Sequence, residues 1–200
     1  MRIISGQAKG RKLFPPPGQS KEIRPTPDRA REALFSIVGS KIRNSRVLDL
    51  FAGTGALGCE ALSRGAEAVT FVDMSKQALT LIKKNIPLVP DGVRRSTVIQ
   101  HDLRRSLPFP AVKTSENGPF DLVFADPPYQ KGFAEKILLS LDKSTVLSQK
   151  VLIIIEEIKG VDLDIKLDEL FLDKRRCYGD TCFHFFIRKE LPHQTFFETF

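Results

Sequence analysis

The sequence predicts an α/β fold, a mostly parallel sheet closed by a C-terminal antiparallel hairpin and preceded by a small basic N-terminal extension. Three observations carry it. Short apolar segments alternate with helical patterns from Arg46 to Glu156, and such alternation calls for crossover helices covering both faces of a parallel sheet. A glycine-rich stretch, Gly53-Thr54-Gly55-Ala56-Leu57-Gly58, follows the first of these strands and opens a helix. Two apolar stretches, Lys174 to Tyr178 and Cys182 to Arg188, are split by Gly179-Asp180, the composition of a tight hairpin turn.

Each element follows in chain order. Arg2-Ile3-Ile4 and Arg11-Lys12-Leu13-Phe14, with Gly6 and Gly10 between them, predict a short basic hairpin stopped by Pro15-Pro16-Pro17-Gly18. Arg24-Pro25-Thr26-Pro27-Asp28 must be extended or turned, because a residue before proline avoids the helical region. Ala30, Ala33, Leu34, Ile37 and Val38 then recur at helical spacing, giving an amphipathic helix that ends near Gly39 and carries Arg29, Arg31 and Glu32 on its other face.

Val47 to Phe51 is the first strand, and the helix after the glycine turn runs through Arg64 to a stop at Gly65. Ala68 to Asp73 is the second strand, with Ser75 as N-cap of a helix reaching Asn85. Thr97 to Gln100, Phe120 to Ala125 and Lys150 to Glu156 are further strands, and a helix near Phe133 to Leu141 separates the last two. The chain divides into an extension (1–45), a body (46–190) and a loosely packed tail (191–200).

Composition narrows the function classes. With 42% hydrophobic and 28% charged residues in 200, the chain can bury one core and is not a disordered protein. Its longest apolar run, Val151 to Ile155, is too short to cross a bilayer, and Met1 to Gly6 lacks the apolar stretch of a secretory signal. Cys59, Cys177 and Cys182 are odd in number and read as reduced thiols of a cytoplasmic protein without a disulfide framework. Cys177 and Cys182 have no partners at metal-ligand spacing and His101, His184 and His193 are scattered, so no metal site is expected; His184, in an apolar strand, reads as structural.

Charge is unevenly placed. The net charge is +7, and residues 1–46 hold 11 Lys/Arg against 3 Asp/Glu while the remainder is nearly balanced. A basic arm on a neutral body is the pattern of a protein that grips phosphates with one element and works with another. The candidate contacts are Arg2, Lys9, Arg11, Lys12, Arg24, Arg29 and Arg31, with Thr26 between the prolines that direct Arg24. The plainer alternatives are solvated charges that keep the chain dispersed and, for Arg24, an ion pair with Asp28 or Glu32.

The glycine turn marks a ligand approaching backbone where a Cβ would intrude, and Asp73 at the end of the next strand suits ribose hydroxyls. Those features do not separate NAD from other adenosine-bearing cofactors. Asp49, in the strand entering the turn, would repel a pyrophosphate and attract a cofactor with ammonium and sulfonium groups. The strand Phe120 to Ala125 runs into Asp126-Pro127-Pro128-Tyr129 at the edge where ligands of parallel sheets bind. A base amino group is a poor nucleophile because its lone pair is delocalised. An Asp126 carboxylate and a Pro127 carbonyl accepting both its N–H bonds would favour a pyramidal nitrogen, and Tyr129 offers a stacking face. The plain reading of the corner is a proline-rich turn with a half-buried tyrosine.

In order, Asp49-Leu-Phe-Ala-Gly-Thr-Gly55, Asp73 and Asp126-Pro-Pro-Tyr129 resemble the S-adenosylmethionine-dependent methyltransferases of amino nitrogens. Arg24-Pro-Thr-Pro-Asp-Arg-Ala-Arg-Glu-Ala-Leu-Phe35, Glu60-Ala-Leu-Ser-Arg-Gly-Ala66 and Arg176-Cys-Tyr-Gly-Asp-Thr181 narrow the similarity to the RsmD family, the bacterial small-subunit ribosomal RNA guanine-N2 methyltransferases. The resemblance implies a Rossmann-like class I methyltransferase fold and an enzyme acting on small-subunit ribosomal RNA or its ribonucleoprotein particle; the chain is expected to be a monomer.

It also implies roles. Asp49, Phe51 and Gly53-Thr54-Gly55 would approach the methionine part of S-adenosylmethionine, Asp73 with Met74 the ribose, and Asp102 with the Leu103 amide the adenine. Asp126, Pro127, Pro128 and Tyr129 would hold the guanine, while the basic arm holds RNA phosphates. Asp73 stands where the family commonly has glutamate, and the tail from Leu191 has no recognised counterpart. Three rivals remain: an adenine-N6 methyltransferase of DNA, since the corner serves either base; a non-catalytic RNA-binding assembly protein; and a nicotinamide oxidoreductase, which Asp49 disfavours.

Overall fold

Val47 to Leu50 are all buried, as befits a strand covered on both faces, and they form an interior strand of a seven-stranded sheet. The computed structural model describes residues 1–16, 28–108, 118–129 and 132–189. Its strands are β1 (Arg46–Leu50), β2 (Ala68–Asp73), β3 (Ser96–Gln100), β4 (Phe120–Ala125), β5 (Leu147–Ile158), β6 (Leu170–Tyr178) and β7 (Thr181–Arg188). Their order is β3-β2-β1-β4-β5-β7-β6, parallel from β3 to β5 and antiparallel around β7. Leu50 is in register with Val72 on one side and Ala125 on the other, so β1, β2 and β4 end along one edge. Chain order reverses beside β1, and the crevice beyond the carboxyl ends at such a point is where ligands bind.

Helices α1 (Asp28–Val38), α2 (Ala56–Ser63), α3 (Lys76–Asn85) and α4 (Phe133–Asp142) cover the sheet. Ser75 caps α3 as expected, accepting from the Ala78 amide at 3.4 Å. Two apolar clusters form the core. One joins Leu34, Phe35, Leu62, Phe71, Phe124 and Phe185; the other joins Leu48, Leu50, Val123, Ile137, Leu141 and Ile153. The Phe35 and Phe124 rings meet tilted at 5.5 Å, a geometry worth about 0.5–1.5 kcal/mol beyond the area it buries.

Residues 1–16 are strapped onto this body. Arg2 and Lys12 form the antiparallel bridge expected of the hairpin, and Ile3, Ala8 and Leu13 enter the same core cluster as α1 and α2. Glu60, fully buried in α2, accepts from the Ile4 amide at 2.6 Å and the Ser5 amide at 2.9 Å, while Arg64 neutralises it at 2.7 Å. Gly6 has φ +82° there, and a Cβ on it would lie 1.9 Å from the Ser63 carbonyl oxygen. Arg24, Thr26 and the tail 191–200 lie outside the described residues.

Two expectations are corrected. Cys177 and Cys182 form a disulfide, not free thiols; only the third cysteine, Cys59, is free, and it is buried. The Gly179-Asp180 turn sets these two cysteines directly opposite each other, with Cα atoms 4.0 Å apart, which a linear search for metal-ligand spacing does not register. β6 begins at Leu170 instead of Lys174, because a register shift between Leu172 and Lys174 breaks its alternation. Among the described residues no helix is long and apolar enough to cross a membrane, and no group of three or more His, Cys, Asp or Glu is placed to hold a metal ion.

Candidate active site at the carboxyl edge of the sheet

After Leu50 the backbone makes a turn that few sequences tolerate. Phe51 has φ +57°, Gly53 +54° and Gly55 +75°; for a bulky residue such a conformation costs about 1–3 kcal/mol and persists only where its surroundings enforce it. Three side chains do so. Asp73 accepts from the Gly53 amide at 2.9 Å with one oxygen and from Ser75 at 2.8 Å with the other. Asp49, almost fully buried, accepts from the Gly58 amide at 2.9 Å and ties β1 to the first turn of α2. Asn85 donates to the Thr54 carbonyl at 2.9 Å and accepts from the Phe14 amide at 2.7 Å, so one amide group links the turn to the N-terminal strap. Gly58 admits no side chain, since a Cβ would lie 2.2 Å from the Phe71 ring.

The second part is the corner after β4. The Asp126 amide lies 3.4 Å from the Leu50 carbonyl, bringing the corner beside the glycine turn. Pro127 is buried, Pro128 exposed and Tyr129 half-buried. The Tyr129 hydroxyl donates to Glu156 at 2.9 Å and also meets the Thr181 hydroxyl, so β5 and β7 hold the ring.

Carboxylates crowd this edge. Burial pushes Asp49 up to about 8; the Gly58 amide opposes that and the Asp73 charge adds to it. Asp126 is held well above the usual carboxylate range by burial, then by Glu156, Asp49 and Glu157. Burial, followed by Glu156 and Asp126, likewise raises the Tyr129 phenol. Such a cluster favours a cation, whose arrival would restore the ionised forms. Glu156, Glu157 and Thr181 join the site only through the fold, although two acids closing the apolar run Val151 to Ile155 are a visible signal in the sequence.

The other expected residues are spread around this centre. Met74 stands exposed just beyond Asp73, and Leu103 is buried. Asp102 is gripped by the Arg104 guanidinium at 2.7 and 2.8 Å, which pulls its carboxyl down to about 2 despite some desolvation. Arg2, Lys9, Arg11, Lys12 and Arg29 are exposed, and Arg11 also donates to the Leu88 carbonyl. Arg31 departs from expectation. It is 1% exposed, donating to the Arg2 carbonyl and to Asp28 at 3.1 Å, so it fastens the strap to α1 and offers nothing to a phosphate. Helical spacing put it on the polar face, but the strap covers that face.

Comparison with known proteins identifies the family and the fold. A family model described as Conserved hypothetical protein 95 matches residues 1–187. Ribosomal RNA small subunit methyltransferase D of Haemophilus influenzae is 40% identical over 82% of this chain and 81% of its own. The Escherichia coli protein of the same name is 38% identical over 78% of this chain and 74% of its own. The solved structure of yhhF from Escherichia coli, a candidate methyltransferase, superposes with TM-score 0.78 at 31% identity, covering 94% of this chain and 98% of that one. With the family model spanning nearly the whole chain and two relatives this similar, the chain belongs to the RsmD family of methyltransferases.

Proposed function

We propose that this enzyme transfers a methyl group from S-adenosylmethionine to the exocyclic N2 of a guanine in small-subunit ribosomal RNA. The observation that carries the reading is the Asp126–Tyr129 corner, set against the glycine turn and inside a cluster of four buried or half-buried carboxyl groups. The relatives named for small-subunit ribosomal RNA methylation support the substrate class.

The residues present fit the cofactor. The turn holds Gly53 and Gly55 at positive φ, a backbone shape that glycine adopts without strain, and the acid cluster suits a cation. When bound, S-adenosylmethionine supplies a methyl group on a sulfonium that already activates it. Asp49 provides negative charge beneath the turn, with Phe51 and Thr54 shaping it. A carboxylate offers about four lone-pair sites, so Asp73 can hold the Gly53 and Ser75 amides and still accept from ribose hydroxyls beside Met74. Asp102 and the Leu103 amide face the adenine.

At the reacting end, Asp126 and the Pro127 carbonyl accept the two N–H bonds of the guanine amino group and aim its lone pair at the methyl. Positive charge develops on that nitrogen, and the carboxylate stabilises it and takes the proton the nitrogen sheds. Tyr129 stacks on the base, a contact worth about 1–3 kcal/mol. Arg2, Lys9, Arg11, Lys12 and Arg29, joined by Arg24 and Thr26, hold the RNA backbone while the base is turned out. The test is methyl incorporation into small ribosomal subunits from a strain lacking this gene. Label recovered as N2-methylguanosine is expected; label absent from that product, or found instead in adenine of unmethylated DNA, contradicts the reading.

A further inference from the structure

The outer edge of the sheet carries a cationic and aromatic surface on the same rim as the corner. β6 is the last strand, paired on one side with β7 and with no strand on its other side among the described residues. In register, Lys174 lies opposite Phe185, Arg176 opposite Phe183 and Tyr178 opposite Thr181. Cross-strand partners share a face, and the geometry agrees: Lys174 Nζ sits 5.6 Å over the Phe185 ring, and the Tyr178 and Phe183 rings are 6.2 Å apart. Phe183 and Phe185 belong to the cluster under α1 and the N-terminal strap, so Lys174, Arg176 and Tyr178 face the same side as the basic arm.

Arg175 alternates to the other face, where Asp162 lies 3.7 Å away. Lys174 has Asp173 at 3.2 Å, whereas the Arg176 guanidinium donates to the Arg175 carbonyl at 2.9 Å and has no carboxylate within 4.0 Å among the described residues. Tyr178 is 37% exposed, and its partner Thr181 reaches the Tyr129 hydroxyl. Neighbouring strands are about 4.8 Å apart, so Tyr178 is one strand spacing from a residue that touches the corner.

We infer that Lys174, Arg176 and Tyr178 form a second RNA-binding surface, in which the cations hold phosphates flanking the target nucleotide and Tyr178 stacks on an adjacent unpaired base. This rests on the proposed substrate class and adds to the N-terminal arm, where the excess positive charge of the chain is concentrated. RNA fits better than a protein partner because a guanidinium with no carboxylate partner beside an exposed ring serves phosphate and base together, while Phe183 and Phe185 between them are already buried in the core.

The experiment measures binding of small-subunit ribosomal RNA to the full chain across a salt series, with S-adenosylmethionine affinity and thermal unfolding as controls. The double variant Lys174→Ala, Arg176→Ala should bind RNA about tenfold more weakly, and its salt slope should shrink by about 0.7 for each phosphate it no longer neutralises. Arg176→Gln, a milder change, should show part of the loss, and Tyr178→Ala should weaken binding without altering the slope. Arg175→Ala on the opposite face should behave as the native protein does. Native affinity and slope in the double variant and in Arg176→Gln, or an equal loss in Arg175→Ala, overturns the inference. Methyl transfer by the native protein is scored separately. RNA held by this edge without transfer to guanine would sink the proposed reaction and leave the surface standing.

Discussion

The Tyr129 hydroxyl donates a 2.9 Å hydrogen bond to the buried Glu156 carboxylate, joining the corner after β4 to the end of β5. The ring proposed to stack on the base is thereby fixed to a buried side chain near the end of β5. Tyr129→Phe keeps the stacking face and loses this anchor, which should lower kcat/KM about fivefold to tenfold, the scale of one hydrogen bond. Glu156→Ala should cost more, because it also leaves a cavity at a buried position beside the corner. The double variant should be clearly less impaired than the product of the two single effects, a coupling readable in steady-state methyl transfer. Independent effects would show that the two residues do not act together.

The Asp49 carboxyl, pushed up to about 8 by burial, predicts a pH-dependent affinity for a cationic cofactor. Its raised value keeps it protonated and neutral below that pH, and a cation favours the ionised form. Affinity should therefore rise with pH through this region and flatten above it, by about tenfold between pH 7 and pH 9 for one ionisation. Calorimetry on the native protein and Asp49→Asn checks it: the variant should bind more weakly and lose this component of the slope. Parallel pH profiles would remove Asp49 from cofactor binding.

Gly6 and Gly10 share a positive φ, yet a Cβ on Gly6 meets the Ser63 backbone at 1.9 Å while one on Gly10 meets nothing within 4 Å. Gly10→Ala should cost about 1–2 kcal/mol, the left-handed penalty alone. Gly6→Ala should cost more, since it also lifts the strap off α2. Denaturant unfolding of the two variants compares them directly, and equal losses would mean that the packing of the strap on α2 contributes little.

The cysteines predict a labelling pattern. Under native, non-reducing conditions an alkylating reagent should modify none of the three cysteines, because Cys177 and Cys182 are bonded and Cys59 is buried. Mild reduction should open two sites. Modification of Cys177 and Cys182 without reductant would restore the free-thiol reading.

Much of this architecture was legible because local signals agreed with the fold. Alternating apolar runs located β1 to β4, Ser75 marked the start of α3, and the glycine turn lies where a strand meets a helix. What escaped was set by packing or pairing. Arg31 occupies a polar helical position that becomes buried only because residues 1–16 fold over it. The shift after Leu172 hid the start of β6, and the cysteine pair needs the hairpin register to be seen. Glu156 looks from sequence like an ordinary strand end, and it gains meaning only when β4 and β5 lie side by side.

Asp126→Ala is the most direct probe of the reaction assigned to the corner. Transfer to small-subunit RNA should fall by at least about a hundredfold, the scale of a lost transition-state acceptor, while S-adenosylmethionine affinity measured by calorimetry stays within a few-fold of native. Near-native turnover, or a cofactor affinity that collapses in step with activity, would contradict the assignment of this carboxylate to the target amine.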